Sequence, residues 1–328
     1  MTTMTFMQAV LAAQREEMHR DDRVFVMGQD IQSGLYGNQG FREFGPTRVR
    51  NVPISEAGFF GAAVGAALTG LRPIVDASNG AFMYSGMDQI VNQAAKNRYM
   101  FGGQADVPVV YRASLYYGNG SAAHHSDRPW ATYMTIPGLK IVAPTTPADA
   151  KGLLTAAIRC DDPVIFFEDL SLAGSKGEVP EGDHLVPIGS ASVRRAGRDV
   201  TVVAIAGAVP HALRAADDLA RHGIECEVID PRTLKPLDTQ TVLASVAKTG
   251  RLVIADPAPR TCGAAAEISA RVCEEAFASL RSPIARVCAP DIPIPFSQAL
   301  ERLIYPDAEK IAAAVQRIVS YDRAGAGT

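Results

Sequence analysis

Short apolar runs alternate with amphipathic segments along the whole chain. In the first half the apolar runs have the length and β-branched content of strands, and they fall at 24–28, 73–76, 107–112, 139–144 and 163–167. The segments between them place apolar residues at helical spacing, at 4–20, 58–70, 87–100 and 146–159. Strands that alternate with helices predict a parallel sheet covered on both faces.

The same alternation restarts in the second half. Strands are predicted at 200–205, 225–230, 251–255 and 284–287, and helices at 209–222, 238–248, 263–280 and 307–319. The polar stretch 171–187 between the halves contains Gly and Pro and is typical of a linker. We therefore predict an α/β protein with two doubly wound sheets, in a domain 1–175, a linker 176–190 and a domain 191–328.

Local signals mark two helix starts and one long loop. Thr146 is expected to cap a helix whose first residue is Pro147. Glu56 stands in apolar company at the start of the helix near Gly58, where Ser55 could cap and an acid complements the helix dipole without any further role. Residues 29–50 show little periodicity and predict a functional or partner-facing loop, and the tail 323–328 should fray.

Composition excludes several classes of protein. The 328 residues are 47% hydrophobic with a formal net charge of −3, so no basic surface for nucleic acid is expected. No apolar run reaches the roughly 18 residues that a membrane span needs. Residues 1–22 do not have the pattern of a signal peptide, and five dispersed cysteines without a C-x-x-C indicate reduced thiols. A cytoplasmic protein is the expectation.

Several familiar motifs are incomplete. Gly118-Asn119-Gly120 begins a dinucleotide fingerprint, but position 123 is Ala and no clear helix follows. The nucleotide-binding G-x-x-x-x-G-K-[ST] and the hydrolase G-x-S-x-G are absent. His124 and His125 are followed by Asp127, but adjacent histidines without a Cys or Glu predict a metal site only weakly.

Longer stretches point to one family. They are PISEAG at 53–58, GLRP at 70–73, DQIVNQAAK at 88–96, EVIDPRTLKPLD at 227–238 and KTGR at 248–251. With them the chain resembles the beta subunit of the thiamine-diphosphate-dependent component of 2-oxo acid dehydrogenases, of the pyruvate, branched-chain or acetoin type. The resemblance implies an N-terminal thiamine pyrimidine-binding domain and a C-terminal transketolase-like domain.

The resemblance also implies roles for individual residues. Glu56 matches the catalytic glutamate that hydrogen-bonds the pyrimidine ring, and Phe82 and Gln89 match positions beside the cofactor. His125 matches the catalytic histidine that steadies the substrate carboxylate or assists acyl transfer to lipoamide. A potassium ion would be bound mainly through backbone oxygens at Val109, Ala157, Ile158, Cys160 and Asp162.

What the chain lacks implies a partner. Thiamine enzymes hold the diphosphate through Mg²⁺ with a Gly-Asp-Gly stretch followed by paired asparagines, and neither is present. The resemblance therefore implies an alpha subunit that binds Mg²⁺ and the diphosphate, in an alpha2beta2 heterotetramer. A lipoyl acyltransferase component would be a further partner, although the tail 321–328 does not match the family.

Departures from the family pattern lie near the expected substrate pocket. They bring Asn79, Tyr116, His124 and Asp127 into segments where the family has different residues. These changes make the pocket more polar, so we predict a 2-oxo acid other than pyruvate.

Three alternatives remain open. The chain could belong to an acyloin-forming, carboligating enzyme that passes its acyl unit to an aldehyde, or it could be a non-catalytic subunit that braces a partner. An NAD-dependent dehydrogenase is the most distant alternative, because the fingerprint loop is incomplete.

Overall fold

A computed structural model describes residues 1–34 and 40–325, with side chains through residue 321. The chain divides into unit 1, Met1–Tyr117 with His124–Ile188, and unit 2, Gly118–Ala123 with Gly189–Thr328. The predicted boundaries did not include the short excursion Gly118–Ala123. Residues 35–39 of the predicted loop 29–50, and 326–328 of the predicted frayed tail, lie outside the described residues.

Unit 1 is built on six parallel strands. They are β2 Val24–Gly28, β3 Val49–Asn51, β4 Arg72–Asn79, β5 Val110–Leu115, β6 Lys140–Val142 and β7 Val164–Asp169. Their order is β6-β7-β5-β4-β2-β3, and every neighbouring pair is parallel. The predicted parallel sheet is thus confirmed in the first half of the chain.

Helices cover both faces of this sheet. They are α1 Phe6–Arg20, α2 Gly45–Arg48, α3 Glu56–Leu68, α4 Ala95–Met100, α5 Trp130–Met134 and α6 Pro147–Arg159. On one face α1 and α6 form a core with Val110 and its neighbours. Tyr111 follows Val110 and so points to the opposite face, where its ring lies 5.2 Å from that of Phe60 in α3.

Side chains cap two of the helices of unit 1. Thr5 and Gln8 form a capping box at the start of α1. Thr146 accepts a hydrogen bond from the backbone of Asp149, and Pro147 opens α6, so that prediction is confirmed. The expected cap by Ser55 is wrong, because the side chain of Ser55 makes no capping hydrogen bond to α3.

Pairing between distant segments changes other sequence predictions. Lys176–Val179, inside the predicted linker, forms strand β8 and pairs antiparallel with β1 Thr2–Thr5, so α1 begins only at Phe6. The predicted helix 87–100 contains a π-helical segment, Gln89–Ala94, before α4. Periodicity could not predict the β1–β8 pair, because each short strand is stabilised by a partner at the other end of the unit.

Unit 2 contains a second, smaller sheet. Its elements are β9 Ser192–Arg195, β10 Val200–Ala204, α7 Ala208–Ala220, β11 Cys226–Asp230, β12 Thr233–Lys235, α8 Thr239–Thr249, β13 Leu252–Pro259, α9 Ala264–Ala276, β14 Ala285–Ala289, α10 Gln298–Ile304 and α11 Ala308–Gly325. The sheet order is β14-β13-β10-β11-β9, with only β9 antiparallel. Helices α7 and α11 pack on one core, and α8 and α9 pack together and against β10 and β13. The predicted pair of α/β domains is confirmed.

Two further features of the structure concern its helices and its cysteines. Within the described residues, no helix is long and apolar enough to cross a membrane. All five cysteines are free thiols.

Two glycines with positive φ allow a test of the packing in unit 1. Gly138 has φ +90°, and a Cβ there would lie 2.1 Å from the backbone oxygen of Ala95. Gly103 has φ +81° but no neighbour within 4 Å. Gly103→Ala should lower the free energy of unfolding by about 1–2 kcal/mol through backbone strain alone. Gly138→Ala should cost about 1–3 kcal/mol more, because α4, which begins at Ala95, must move.

Urea unfolding of the wild type and both variants measures this difference. Equal losses for the two variants would contradict the close contact between Gly138 and Ala95 at the start of α4.

Candidate functional site

The carboxyl ends of neighbouring strands place the predicted site residues at one edge of the unit 1 sheet. β2, β3, β4 and β5 are parallel, so they all end at this edge. The segments that follow these strands contain, in chain order, Gln29, Glu56, Phe82 and Tyr116. In open α/β sheets this edge is where ligands bind.

A glycine allows the ends of β2 and β4 to approach closely. A Cβ on Gly28 would lie 2.8 Å from the backbone oxygen of Asp76 and 2.9 Å from its Cβ. Gln29 leaves the sheet at this point, directly after the close contact. Its side chain is therefore positioned by the backbone of a buried strand.

Glu56 is the first residue of α3 and is 9% exposed. Its Oε1 accepts a hydrogen bond of 2.9 Å from Nε2 of Gln29. The donor is a neutral amide, so this contact orients the carboxylate without neutralising its charge. A shielded carboxylate held in this way is suited to a strong hydrogen bond with a polar group of a ligand.

Three rings meet near Glu56's edge of the sheet. The ring of Phe82 contacts that of His125 edge-on, with centroids 5.3 Å apart and planes at 73°. The ring of Tyr116 is stacked parallel to His125 at 6.3 Å. The structure thus brings together Phe82, Tyr116 and His125, which the sequence analysis assigned to cofactor, pocket and catalysis.

Asn79 is held by contacts with the backbone. It is the last residue of β4 and only 1% exposed. Its Nδ2 donates to the backbone oxygen of His125 at 2.6 Å, and its Oδ1 accepts from the backbone nitrogen of Ala81 at 2.8 Å. The amide oxygen and nitrogen are thus both bonded to backbone groups, and direct contact of Asn79 with substrate stays a prediction.

The other predicted pocket and cofactor residues have distinct environments. Burial raises the pKa of Asp127, while a hydrogen bond from Tyr84 and the proximity of Arg128 and His124 oppose the rise. His124 itself is exposed. Gln89 lies against α3, the helix that begins with Glu56. Its Oε1 would be 2.9 Å from a Cβ added to Gly61 of that helix.

A buried charge group beneath the edge was missed by the sequence analysis. Arg112 forms a bidentate pair with Glu168, at 2.6 Å and 2.9 Å, and its Nη1 lies 3.4 Å from Asp76. Burial and the nearby charge of Glu168 raise the pKa of Asp76 to about 7. Charged residues at the ends of otherwise apolar strands were the available signal, because buried charges are usually paired.

Gln29 was also missed. Its signal was its place directly after a predicted parallel strand, at the edge where such strands end. Amide side chains there are common for structural reasons, so the sequence alone did not distinguish it.

Three of the five predicted potassium ligands, Ile158, Cys160 and Asp162, are engaged by the chain's own cations. Arg72 is 8% exposed and donates to the backbone oxygens of Ile158 and Cys160 at 2.8 Å and 2.7 Å. Lys140 contacts the Asp162 carboxylate at 2.9 Å. The backbone oxygens of Val109 and Ala157 accept from backbone nitrogens. These oxygens do not fit a potassium ion unless Arg72 moves.

The described residues contain no group of three or more His, Cys, Asp or Glu side chains that could hold a metal ion. His124, His125 and Asp127 therefore do not form a metal centre in the described part of the chain.

Comparisons with known proteins find relatives over nearly the whole chain. Residues 2–174 match the transketolase pyrimidine-binding domain, and residues 189–311 match the transketolase C-terminal domain. The chain is 47% identical to the acetoin:2,6-dichlorophenolindophenol oxidoreductase subunit beta of Cupriavidus necator, over 94% of this chain and 95% of that protein. It is 46% identical to the pyruvate dehydrogenase E1 component subunit beta of Rickettsia felis, over 97% and 98%.

A solved structure shares the fold. A split-gene transketolase, described as an inactive beta4 tetramer, superposes with a TM-score of 0.81 over 98% of this chain and 99% of that chain, at 23% identity. At this identity the likeness concerns the fold alone.

The raised pKa of Asp76 gives a pH-dependent prediction. An unfolded Asp ionises near pH 4, so between about pH 4 and 7 the folded chain holds a proton that the unfolded chain has lost. Stability from this group therefore falls as pH rises through that window. Asp76→Asn lacks this titrating group. Its free energy of unfolding minus that of the wild type should therefore be at least about 1 kcal/mol higher at pH 8 than at pH 5.

Asp21→Asn is the matched control. A hydrogen bond from Arg23 lowers the pKa of Asp21 to about 2, so Asp21 is ionised in both states at pH 5 and at pH 8. Its effect in urea unfolding should be the same at both pH values. An effect of Asp76→Asn that is the same at pH 5 and at pH 8 would contradict the raised pKa of Asp76.

Proposed function

The chain belongs to the transketolase family, among the beta subunits of the pyruvate and acetoin dehydrogenase type, and from this premise we propose that it acts with thiamine diphosphate to decarboxylate a 2-oxo acid. In this proposal the acyl unit passes to lipoamide. The observation that supports it most is the Glu56 carboxylate, shielded at the carboxyl edge of the sheet and held by a neutral amide.

Glu56 fits the pyrimidine half of the cofactor. In the imino tautomer of the pyrimidine the ring nitrogen carries a hydrogen. A carboxylate that accepts a hydrogen bond from this N–H therefore favours the imino tautomer. When bound, the cofactor would supply a nucleophilic thiazolium carbon and a cationic ring that can accept the electrons released with carbon dioxide. Gln29 holds one oxygen of Glu56 and so directs the carboxylate.

The neighbouring rings have complementary roles. Phe82 offers an aromatic face for the pyrimidine ring, and its edge-on contact with His125 fixes that face. His125, stacked with Tyr116, would hold the substrate carboxylate or transfer a proton during acyl transfer. Tyr116 and Asp127 beside this cluster give the substrate side of the pocket polar groups.

The remainder of the cofactor site is assigned to a partner. The sequence has no motif for Mg²⁺ and the diphosphate, so an alpha subunit would bind both, in an alpha2beta2 heterotetramer. Exposed residues of unit 1 offer a surface for it: Ile54 is 81% exposed, Tyr99 88% and Met100 72%. On α3, Gly65 has open space around its Cα, which permits close approach of another helix.

The remaining assignments concern location and assembly. We place the enzyme in the cytoplasm, with a lipoyl acyltransferase as a further partner. The proposed function includes no potassium ion at the predicted position, because Arg72 already supplies a positive charge to two of the oxygens that would bind it, those of Ile158 and Cys160.

A second candidate function has support from the relatives. The Cupriavidus necator protein, and a Bacillus subtilis protein 44% identical to this chain over 93% of its length, are named acetoin:2,6-dichlorophenolindophenol oxidoreductase beta subunits. An enzyme of this kind acts on an acyloin, so this site could form or cleave a carbon–carbon bond instead of serving only a 2-oxo acid.

Replacing the Glu56 carboxylate tests the proposed function. Glu56→Gln, co-expressed with the alpha subunit, should lower kcat by about 10²–10⁴-fold, because an amide cannot favour the imino form. Glu267→Gln makes the same change in the first turn of α9 and should leave kcat unchanged. Assembly, followed by size-exclusion chromatography, should be intact in both. Full turnover by Glu56→Gln would favour the bracing-subunit alternative.

A panel of substrates tests the chemistry of the pocket. With the assembled enzyme, 2-oxo acids that have a polar group should show a higher kcat/KM than pyruvate or branched-chain acids, because Asp127 and Tyr116 make the pocket polar. Assays with lipoamide, with an aldehyde and with acetoin separate acyl transfer from carboligation. A clear preference for pyruvate or branched-chain acids would contradict the polar substrate.

A further inference from the structure

The side chain of Asn79 connects two backbone segments of the site. Its Nδ2 donates to the backbone oxygen of His125, and its Oδ1 accepts from the backbone nitrogen of Ala81. One partner can only accept and the other can only donate, so the orientation of the amide is fixed by its two contacts. Asn79 is 1% exposed, so water does not compete for either contact.

Each of these two backbone segments presents a ring of the site. Ala81 precedes Phe82, within the 3₁₀ segment Gly80–Gly86, and the other contact is to His125 itself. The rings of Phe82 and His125 touch edge-on at 5.3 Å. A displacement of either segment would therefore change the relation of the two rings.

The turn that contains His125 has little packing of its own. Ala123–His125 is a short 3₁₀ turn in which no residue is buried. The residue before it, Ala122, has φ +59°, which L residues adopt at a cost. The position of the His125 backbone therefore depends on contacts from outside the turn, and the short bond from Asn79 is one of them.

The approach of the two segments is built into the sequence. A Cβ on Gly80 would lie 2.9 Å from Cδ2 of Leu115, 3.2 Å from Cδ of Pro129 and 3.4 Å from the backbone oxygen of Asp127. Glycine at this position lets the chain after Asn79 lie directly against the chain after His125. The contact between Asn79 and His125 is thus part of a tightly packed arrangement.

We propose that Asn79 is a positioning residue that sets His125 for reaction and, through Ala81, sets Phe82 against the cofactor. It acts through these two segments and does not touch substrate. The inference rests on the proposed function, because it takes His125 and Phe82 as the groups that meet substrate and cofactor.

The two contacts can be separated by substitution. Asn79→Asp keeps an oxygen for the backbone nitrogen of Ala81, and its ionised carboxylate has no donor for the backbone oxygen of His125. A protonated carboxyl would restore a donor, so Asn79→Ser is measured beside it. Asn79→Ser likewise accepts from Ala81 through its hydroxyl, without placing a charge in the interior, and is too short to reach His125. Asn79→Ala removes both contacts.

The experiment uses the enzyme assembled with its alpha subunit. Asn79→Asp should lower kcat about tenfold while the dissociation constant of thiamine diphosphate stays within about twofold of wild type, because only the His125 contact is lost. Asn79→Ala should also weaken thiamine diphosphate binding. Hydrogen–deuterium exchange of residues 124–128 should be faster in both. If Asn79→Asp does not fold, Asn79→Ser takes its place with the same expected results.

A double-mutant cycle distinguishes positioning from general destabilisation. In a His125→Ala background, Asn79→Asp should have no further effect on residual turnover, since its effect passes through His125. Wild-type kcat with unchanged hydrogen–deuterium exchange in Asn79→Asp and Asn79→Ser would overturn the inference. An equal loss of turnover when Asn79→Asp is introduced into the wild type and into His125→Ala would overturn it as well. Failure of the proposed function is a separate result, since Glu56→Gln would then keep its activity.

Discussion

The site depends on one largely buried carboxylate, which forms no ion pair with any residue that the structure describes. Glu56 begins a helix at the carboxyl edge of a parallel sheet, where it is 9% exposed and accepts a hydrogen bond from the neutral amide of Gln29. A cation in place of Gln29 would satisfy the carboxylate and weaken its hydrogen bond to any ligand. Gly28 makes the arrangement possible, since its lack of a side chain lets β2 lie close to β4.

The same edge of the sheet is supported by paired charges beneath it. Arg112 holds the buried Glu168 at two points and lies 3.4 Å from the half-buried Asp76, so two acids share one cation. At another place in unit 1, Arg72 joins β4 to the end of α6 through the backbone oxygens of Ile158 and Cys160. In both places an arginine side chain donates to buried oxygens and so holds its strand in the sheet.

The fold could be predicted from the sequence to the extent that periodicity determines it. Strands such as Val24–Gly28 and helices such as Pro147–Arg159 have local signals, and the capping by Thr146 is local as well. The pairing of Thr2–Thr5 with Lys176–Val179 is not local, and no pattern within either segment indicates it. For the site, the family resemblance assigned Glu56, Phe82 and His125, but it could not indicate that Asn79 would turn inward and bind two backbone segments. That outcome depends on the packing around Gly80, which only the folded chain has.

A structure of the assembled enzyme with thiamine diphosphate shows directly which group of the cofactor Glu56 meets. We predict that a Glu56 oxygen lies within hydrogen-bond distance of a pyrimidine nitrogen, about 2.6–3.2 Å, with the ring of Phe82 on the pyrimidine face. We also predict that Mg²⁺ and the diphosphate are bound by the alpha subunit. A pyrimidine ring placed away from Glu56, or a complete cofactor with its metal bound by this chain alone, would contradict this assignment of Glu56.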